Sequence, residues 1–114
     1  ELFNSLTTTI KMLNIINTSN ETVNIDVPDT ISRFQSLTAI LFENMISKLP
    51  DSICQLKNLV FLACPNNKEL QTIPECIMNL PNLTFVNVSR CPNVKVPQAL
   101  EQYNTGEGFY HMEE

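Results

Sequence analysis

Four prolines set the period of this chain. Pro28, Pro50, Pro74 and Pro97 stand 22, 24 and 23 residues apart, and each opens a segment of the same pattern. Pro28-Asp-Thr-Ile31-Ser-Arg-Phe34-Gln-Ser-Leu37 aligns with Pro50-Asp-Ser-Ile53-Cys-Gln-Leu56-Lys-Asn-Leu59 and with Pro74-Glu-Cys-Ile77-Met-Asn-Leu80-Pro-Asn-Leu83. A fourth copy reads Pro97-Gln-Ala-Leu100-Glu-Gln-Tyr103, and an aliphatic residue (Val27, Leu49, Ile73, Val96) precedes each proline. A unit of this size cannot enclose a core of its own. Repetition at this period therefore restricts the chain to architectures in which each unit stacks on the next.

The first three prolines lead, after nine residues each, to a Leu that opens a strand-like stretch. These stretches read Leu37-Thr-Ala-Ile40-Leu-Phe42, Leu59-Val-Phe-Leu62-Ala-Cys64 and Leu83-Thr-Phe-Val86-Asn-Val88. Positions 1, 4 and 6 are apolar, and 4 and 6 alternate with 3, 5 and 7, which predicts short strands with one face buried. The return from Leu to the next proline runs 13, 15 and 14 residues, so the length variation sits in the turn after the strand, where insertions are tolerated. Proline suits the first turn of a short helical or irregular segment, since its missing N–H would be unpaired there. Asp29, Asp51 and Glu75, directly after it, suit a helix N-terminus.

The strand stretch together with the ninth position, Asn67 in one copy and Cys91 in another, matches L-x-x-L-x-L-x-x-N/C. On these residues the chain resembles the leucine-rich repeat family over about Leu13 to Tyr103. The Leu-Pro-x-x-Ile-x-x-Leu returns are similar to the intracellular repeats of plant immune receptors and of Ras-pathway scaffold proteins. The resemblance implies an α/β solenoid curved into a right-handed superhelix, with a parallel sheet on the concave side and short helical or irregular segments on the convex side. It also implies a ladder of ninth-position side chains bonding to backbone groups in the turns. The copy opening at Leu37 departs from that ladder, with Asn44 at position 8 and Met45 at position 9.

Four repeats are expected, at about 13–36, 37–58, 59–82 and 83–105, with 1–12 the remnant of a preceding repeat or a cap and 106–114 a C-terminal cap or tail. The first frame is ambiguous. Starting at Leu13 puts Ile16 and Thr18 at positions 4 and 6 and keeps the length near 24; starting at Ile10 puts Leu13 and Ile15 there. The regular length favours Leu13. Phe109, Tyr110 and Met112 are expected to shield the last repeat from water.

Composition limits the function. Lys and Arg number 7 against 12 Asp and Glu, a net charge of −5, which argues against a phosphate-binding surface and hence against nucleic acid. One His and 2 Gly leave little for imidazole catalysis, for metal cages or for glycine loops around phosphate. His111 stands among acids in the tail and reads as solvated. The expectation is a binding module with no enzymatic activity, cofactor or metal. No apolar run approaches the length of a membrane span. Glu1 as first residue reads as a processed chain or a piece of a longer one.

Cys54, Cys64, Cys76 and Cys91 show no C-x-x-C spacing. Cys64 falls at inward position 6 and Cys91 on the ladder, so reduced structural thiols are expected. Cys54 and Cys76, on the convex side, are the pair that would form an exception. With reduced thiols goes an intracellular, cytoplasmic location. Asn-x-Ser/Thr sequons occur at Asn17, Asn20, Asn82 and Asn87, about half of which composition alone explains.

The outward strand positions carry the functional expectation. Position 3 is Ala39, Phe61 and Phe85; position 5 is Leu41, Ala63 and Asn87; Glu43 lies at position 7, and Asn66 and Arg90 at position 8. Phe61 and Phe85 should lie side by side on the concave sheet, an aromatic patch with a polar rim suited to a protein partner. The expected function is protein recognition centred on that pair. Two alternatives are the substrate-recognition part of a larger signalling protein or ubiquitin ligase, and an extracellular receptor fragment.

Overall fold

The computed structural model describes residues 7–98 and the strand Phe109–Tyr110. Five strands, β1 (Met12–Ile16), β3 (Ala39–Glu43), β5 (Phe61–Ala63), β6 (Phe85–Asn87) and β7 (Phe109–Tyr110), form one parallel sheet in that order. Two others, β2 (Ile25–Asp26) and β4 (Ile46–Lys48), pair in parallel as a second small sheet. An isolated parallel bridge between Thr72 and Lys95 links the following two turns in the same sense. Three single-turn 3-10 helices, η1 (Asp29–Arg33), η2 (Asp51–Gln55) and η3 (Glu75–Asn79), return the chain to the next strand of the large sheet. Parallel strands joined by short 3-10 returns are compatible with a leucine-rich-repeat type of fold.

The return segments show why the pattern is Pro-x-x-Ile-x-x-Leu-x-x-Leu. A 3-10 helix has three residues per turn, so residues three apart eclipse one another on one face. The N–H groups of Ile31, Ile53 and Ile77 donate to the carbonyls of Pro28, Pro50 and Pro74, and those of Phe34, Leu56 and Leu80 donate back to Ile31, Ile53 and Ile77. Every third side chain then points into the core. Ile31, Phe34, Leu37, Ile53, Leu56, Leu59 and Ile77 are all fully buried. Proline sits one position earlier than a first-turn residue: it is the N-cap, extended at Pro28 and Pro50, and its carbonyl closes the first turn. The acid after it is the first helical residue.

The turn after each strand is also periodic. Asn44, Asn66 and Arg90, all at position 8, have positive φ of 58°, 62° and 58°. The left-handed conformation reverses the chain at the end of the strand, and Asn tolerates it better than most residues.

The first repeat takes the frame that its length disfavoured. Met12 pairs with Ala39, Leu13 with Ile40 and Ile15 with Phe42, so Ile10, Leu13 and Ile15 occupy positions 1, 4 and 6 and the repeat opens at Ile10 rather than Leu13. The extra length is taken up in the turn after β1. There Asn17 Oδ1 accepts from the Ser19 N–H at 3.1 Å and its Nδ2 donates to the Glu21 carbonyl at 3.0 Å. A turn tied by its own asparagine accommodates added residues without disturbing the strand before or the proline after it. At the other end, Phe109 and Tyr110 pair their backbone with Val86 and Asn87 as a further parallel strand; Met112, His111 and the rest of the tail, like Leu100 and Tyr103, lie outside the described residues.

Candidate interaction face

The sheet buries one face and exposes the other, and the register decides which residues meet on the exposed face. Position 3 forms a row across four strands: Met12, Ala39, Phe61 and Phe85. Position 5 forms a second row: Asn14, Leu41, Ala63 and Asn87. Ile16 pairs with Glu43 at position 7. Phe61 and Phe85 stack with ring planes 4° apart and centroids 4.6 Å apart, each half-buried. Leu41, Glu43, Ala39 and Asn87 are half-buried alongside, and Asn87 Oδ1 accepts the Ser89 N–H at 2.8 Å.

Three expected members sit differently. Ala63 is 2% exposed, because its methyl lies in register between the longer Leu41 and Asn87 and does not reach past them. It shapes the floor and offers no surface. Asn66 and Arg90 belong to the left-handed turn at the end of the strands rather than to the sheet, Asn66 half-buried and Arg90 exposed. Two residues were missed: Met12 and Ile16, 62% and 48% exposed, extend the apolar face onto β1. The signal was present, since Ile10, Leu13 and Ile15 fill positions 1, 4 and 6 with aliphatics while the Leu13 frame put Thr18 at position 6.

The face rests on a polar ladder inside the turns. Asn67, 1% exposed, accepts from the N–H groups of Met45 and Ile46 at 2.8 and 3.0 Å through Oδ1. Its Nδ2 donates to the carbonyls of Phe42 at 2.9 Å and Cys64 at 2.8 Å. The Cys91 thiol continues the series, donating to the Cys64 carbonyl at 3.0 Å and accepting from the Asn67 N–H at 3.4 Å. Met45, the side chain that does not fit the ladder, turns into the core, and its backbone is served by Asn67 of the next repeat.

Burial pushes the Cys64 thiol far above its ordinary value, and the neighbouring Cys91 adds to the shift. Cys91 is raised as well, by burial, against the opposing pull of the Asn67 and Asn66 N–H groups. Both are free thiols. The expectation of reduced cysteines does not extend to the other pair, the one singled out as its exception. Cys54 in η2 and Cys76 in η3 are joined by a disulfide across adjacent returns, with Cα atoms 5.9 Å apart. Stacking of successive returns brings the two side chains within bonding reach, although 22 positions separate them in sequence.

Among the described residues, no three His, Cys, Asp or Glu side chains converge as a metal site, and no helix is long and apolar enough to cross a membrane.

A parallel sheet with 3-10 returns, a buried Asn/Cys ladder and a half-exposed apolar face is consistent with a leucine-rich-repeat type of region. No family model matches the chain. Among curated proteins it is similar to TMV resistance protein N of Nicotiana glutinosa, 32% identical over 82 residues, which is 69% of this chain and 7% of that protein. It is also similar to disease resistance protein RPS4B of Arabidopsis thaliana, 33% identical over 88 residues, 77% of this chain and 7% of that protein. The chain thus spans a small fraction of the length of each relative.

Proposed function

We propose that the chain is the protein-recognition part of a larger signalling protein of the disease-resistance type, a short leucine-rich-repeat solenoid that binds a protein partner through the concave face of its large sheet. The observation that carries this reading is the Phe61–Phe85 stack. Two half-buried aromatic rings on an apolar face that Leu41, Met12 and Ile16 continue, with Glu43 and Arg90 at the margin, have the anatomy of an interface centre with a polar rim. Similarity to two resistance proteins supports a signalling context, and with it an intracellular location. In this reading the chain carries out no reaction and needs no cofactor.

The test is an affinity capture from plant lysate with three baits: wild type, the Phe61→Ala/Phe85→Ala double variant, and Lys57→Ala on the return surface as a control. The expected result is a protein retained by wild type and by the control and lost by the double variant. Identical capture by all three places recognition elsewhere.

A second reading, an extracellular receptor fragment, is favoured by one observation, the Cys54–Cys76 bridge, because persistent disulfides belong to oxidising compartments. It predicts a glycan at a sequon. Asn20 is the exposed candidate, whereas the side-chain amides of Asn17 and Asn82 already donate to the carbonyls of Glu21 and Lys57.

A further inference from the structure

From the placement of the four cysteines we infer that Cys54 and Cys76 form a reversible dithiol–disulfide couple that controls how firmly the strands bearing Phe61 and Phe85 are held together. Connectivity carries the first step. η2, which contains Cys54, runs through the buried Leu56 and Leu59 directly into β5 and Phe61; η3, which contains Cys76, runs through Leu80 and Leu83 directly into β6 and Phe85. The bridge and the ring stack therefore tie the same two return-and-strand segments, η2–β5 and η3–β6, the bridge at the returns and the stack at the strands.

The second step is what else ties those repeats. Between η1 and η2, the Ser52 hydroxyl donates to the Asp29 carboxylate at 3.2 Å and lies 3.3 Å from the Asp29 carbonyl. Ser52 and Cys76 occupy the same place, two residues after the proline, so between η2 and η3 the bridge stands where the other junction has a hydrogen bond. Packing is also weaker here. Leu37 and Leu59 are fully buried at the end of their returns, but the equivalent Leu83 is half-buried. Opening the bridge leaves weaker side-chain ties between those returns: the Asn82 Nδ2 bond to the Lys57 carbonyl at 3.0 Å, and the Cys76 sulfur 3.6 Å from the Asp51 carbonyl, a long contact that a free thiol makes less firmly than a covalent bond.

Selectivity is the third step. Cys54 and Cys76 are partly exposed, whereas Cys64 and Cys91 are sealed in the core, so a thiol in solution reaches one pair of sulfurs and not the other. The reductant is a small thiol of the glutathione class. Its thiolate attacks one sulfur of the bridge, a mixed disulfide forms, and a second thiol releases it. Two RSH become RS–SR while the bridge takes up two electrons and two protons as Cys54 and Cys76 thiols, and the same exchange with RS–SR closes it again. Disulfides of this kind inside cells are characteristically transient and redox-sensing, which reconciles the bridge with the intracellular reading.

The experiment needs no partner, so its outcome is independent of whether the concave face binds protein. The native chain is equilibrated in glutathione buffers stepped from fully reduced to fully oxidised, quenched in acid, alkylated and mapped by mass spectrometry, with amide exchange followed in parallel. Cys54 and Cys76 should pass together from bridged to alkylatable within the glutathione range, while Cys64 and Cys91 stay protected until denaturant is added. Amides of Phe61–Ala63 and Phe85–Asn87 should exchange at least about tenfold faster in the reduced form, and those of β1 should change little. The Cys54→Ser/Cys76→Ser variant should show the faster exchange in every buffer. A bridge that stays closed or stays open across the whole range overturns the inference, as does exchange that ignores its state or that still follows the buffer in the double variant.

Discussion

The rings of Phe61 and Phe85 lie parallel at 4.6 Å on residues paired directly across β5 and β6. That spacing is close to the separation of neighbouring strands, so the stack follows from putting the same aromatic at the same position in consecutive repeats. Aromatic contact of this kind is worth about 0.5–1.5 kcal/mol beyond area burial. Phe61→Ala or Phe85→Ala should therefore cost about 1–2 kcal/mol in urea unfolding. Leu59→Ala, at a fully buried site, should cost about 2–5 kcal/mol, and Leu83→Ala less, because Leu83 is half-exposed. Phenylalanine variants as unstable as Leu59→Ala would mean that the rings belong to the core.

Asn67 is the polar residue on which two turns depend. Replacing it with Ala strands the Met45 and Ile46 N–H groups in a dry interior and removes one donor each from the Phe42 and Cys64 carbonyls. Each unsatisfied buried group costs about 1–3 kcal/mol, partly recovered by relaxation, so a loss of about 3–5 kcal/mol is expected. The measurement is the urea midpoint at constant slope, and a loss under about 1 kcal/mol would show that water or neighbouring side chains take over these bonds.

Arg90 holds the left-handed turn that Asn44 and Asn66 hold in earlier repeats. A residue of ordinary shape at that conformation costs about 1–2 kcal/mol, less for Asn. Arg90→Asn should raise stability by about 0.5–1 kcal/mol in thermal unfolding while weakening any partner contact made at the rim. Opposite signs in stability and binding separate the backbone role of this position from its side-chain role.

Thr30 Oγ1 is buried without a hydrogen-bond partner, at the place where the next return has Ser52. Thr30→Val keeps the shape and removes an unpaired polar atom, so stability should be unchanged or rise by up to about 1 kcal/mol. A clear loss in calorimetry would reveal an ordered water at that hydroxyl.

The buried thiols give stability an alkaline limit. Folding raises the Cys64 and Cys91 thiols above their ordinary value of 9.0, so the folded state holds protons that the unfolded chain releases. Their contribution is complete below the unfolded value and is lost as pH climbs above it toward the folded values. Unfolding free energy should be flat on this account from pH 6 to about 8.5 and decline beyond, and Cys64→Ala should shallow that decline.

Much of the fold was legible because its period is written in residues with narrow conformational roles. Proline with Ile and Leu at three-residue spacing specifies a 3-10 return whose one face is buried, and apolar positions 4 and 6 specify the buried face of the strand that follows. The interaction face was legible where two equal aromatics fall at one position. It was not legible on β1, where Ile10 and Leu13 compete as the opening residue and only pairing with Ala39, Ile40 and Phe42 selects between them. A one-dimensional frame cannot weigh a longer turn against a misplaced Thr18.

By itself, the sequence determined the repeat, the inward strand residues of the units opening at Leu37, Leu59 and Leu83, and the ladder position, because these follow from local geometry that one unit imposes on the next. Tertiary structure alone decided that Ala63 is covered, that Met12 and Ile16 join the exposed face, that Asn67 serves the turn of the preceding repeat, and that the bridge left open for Cys54 and Cys76 is made. Each of those depends on which side chain lies one strand spacing away, and that neighbour is set by stacking, more than twenty residues distant along the chain.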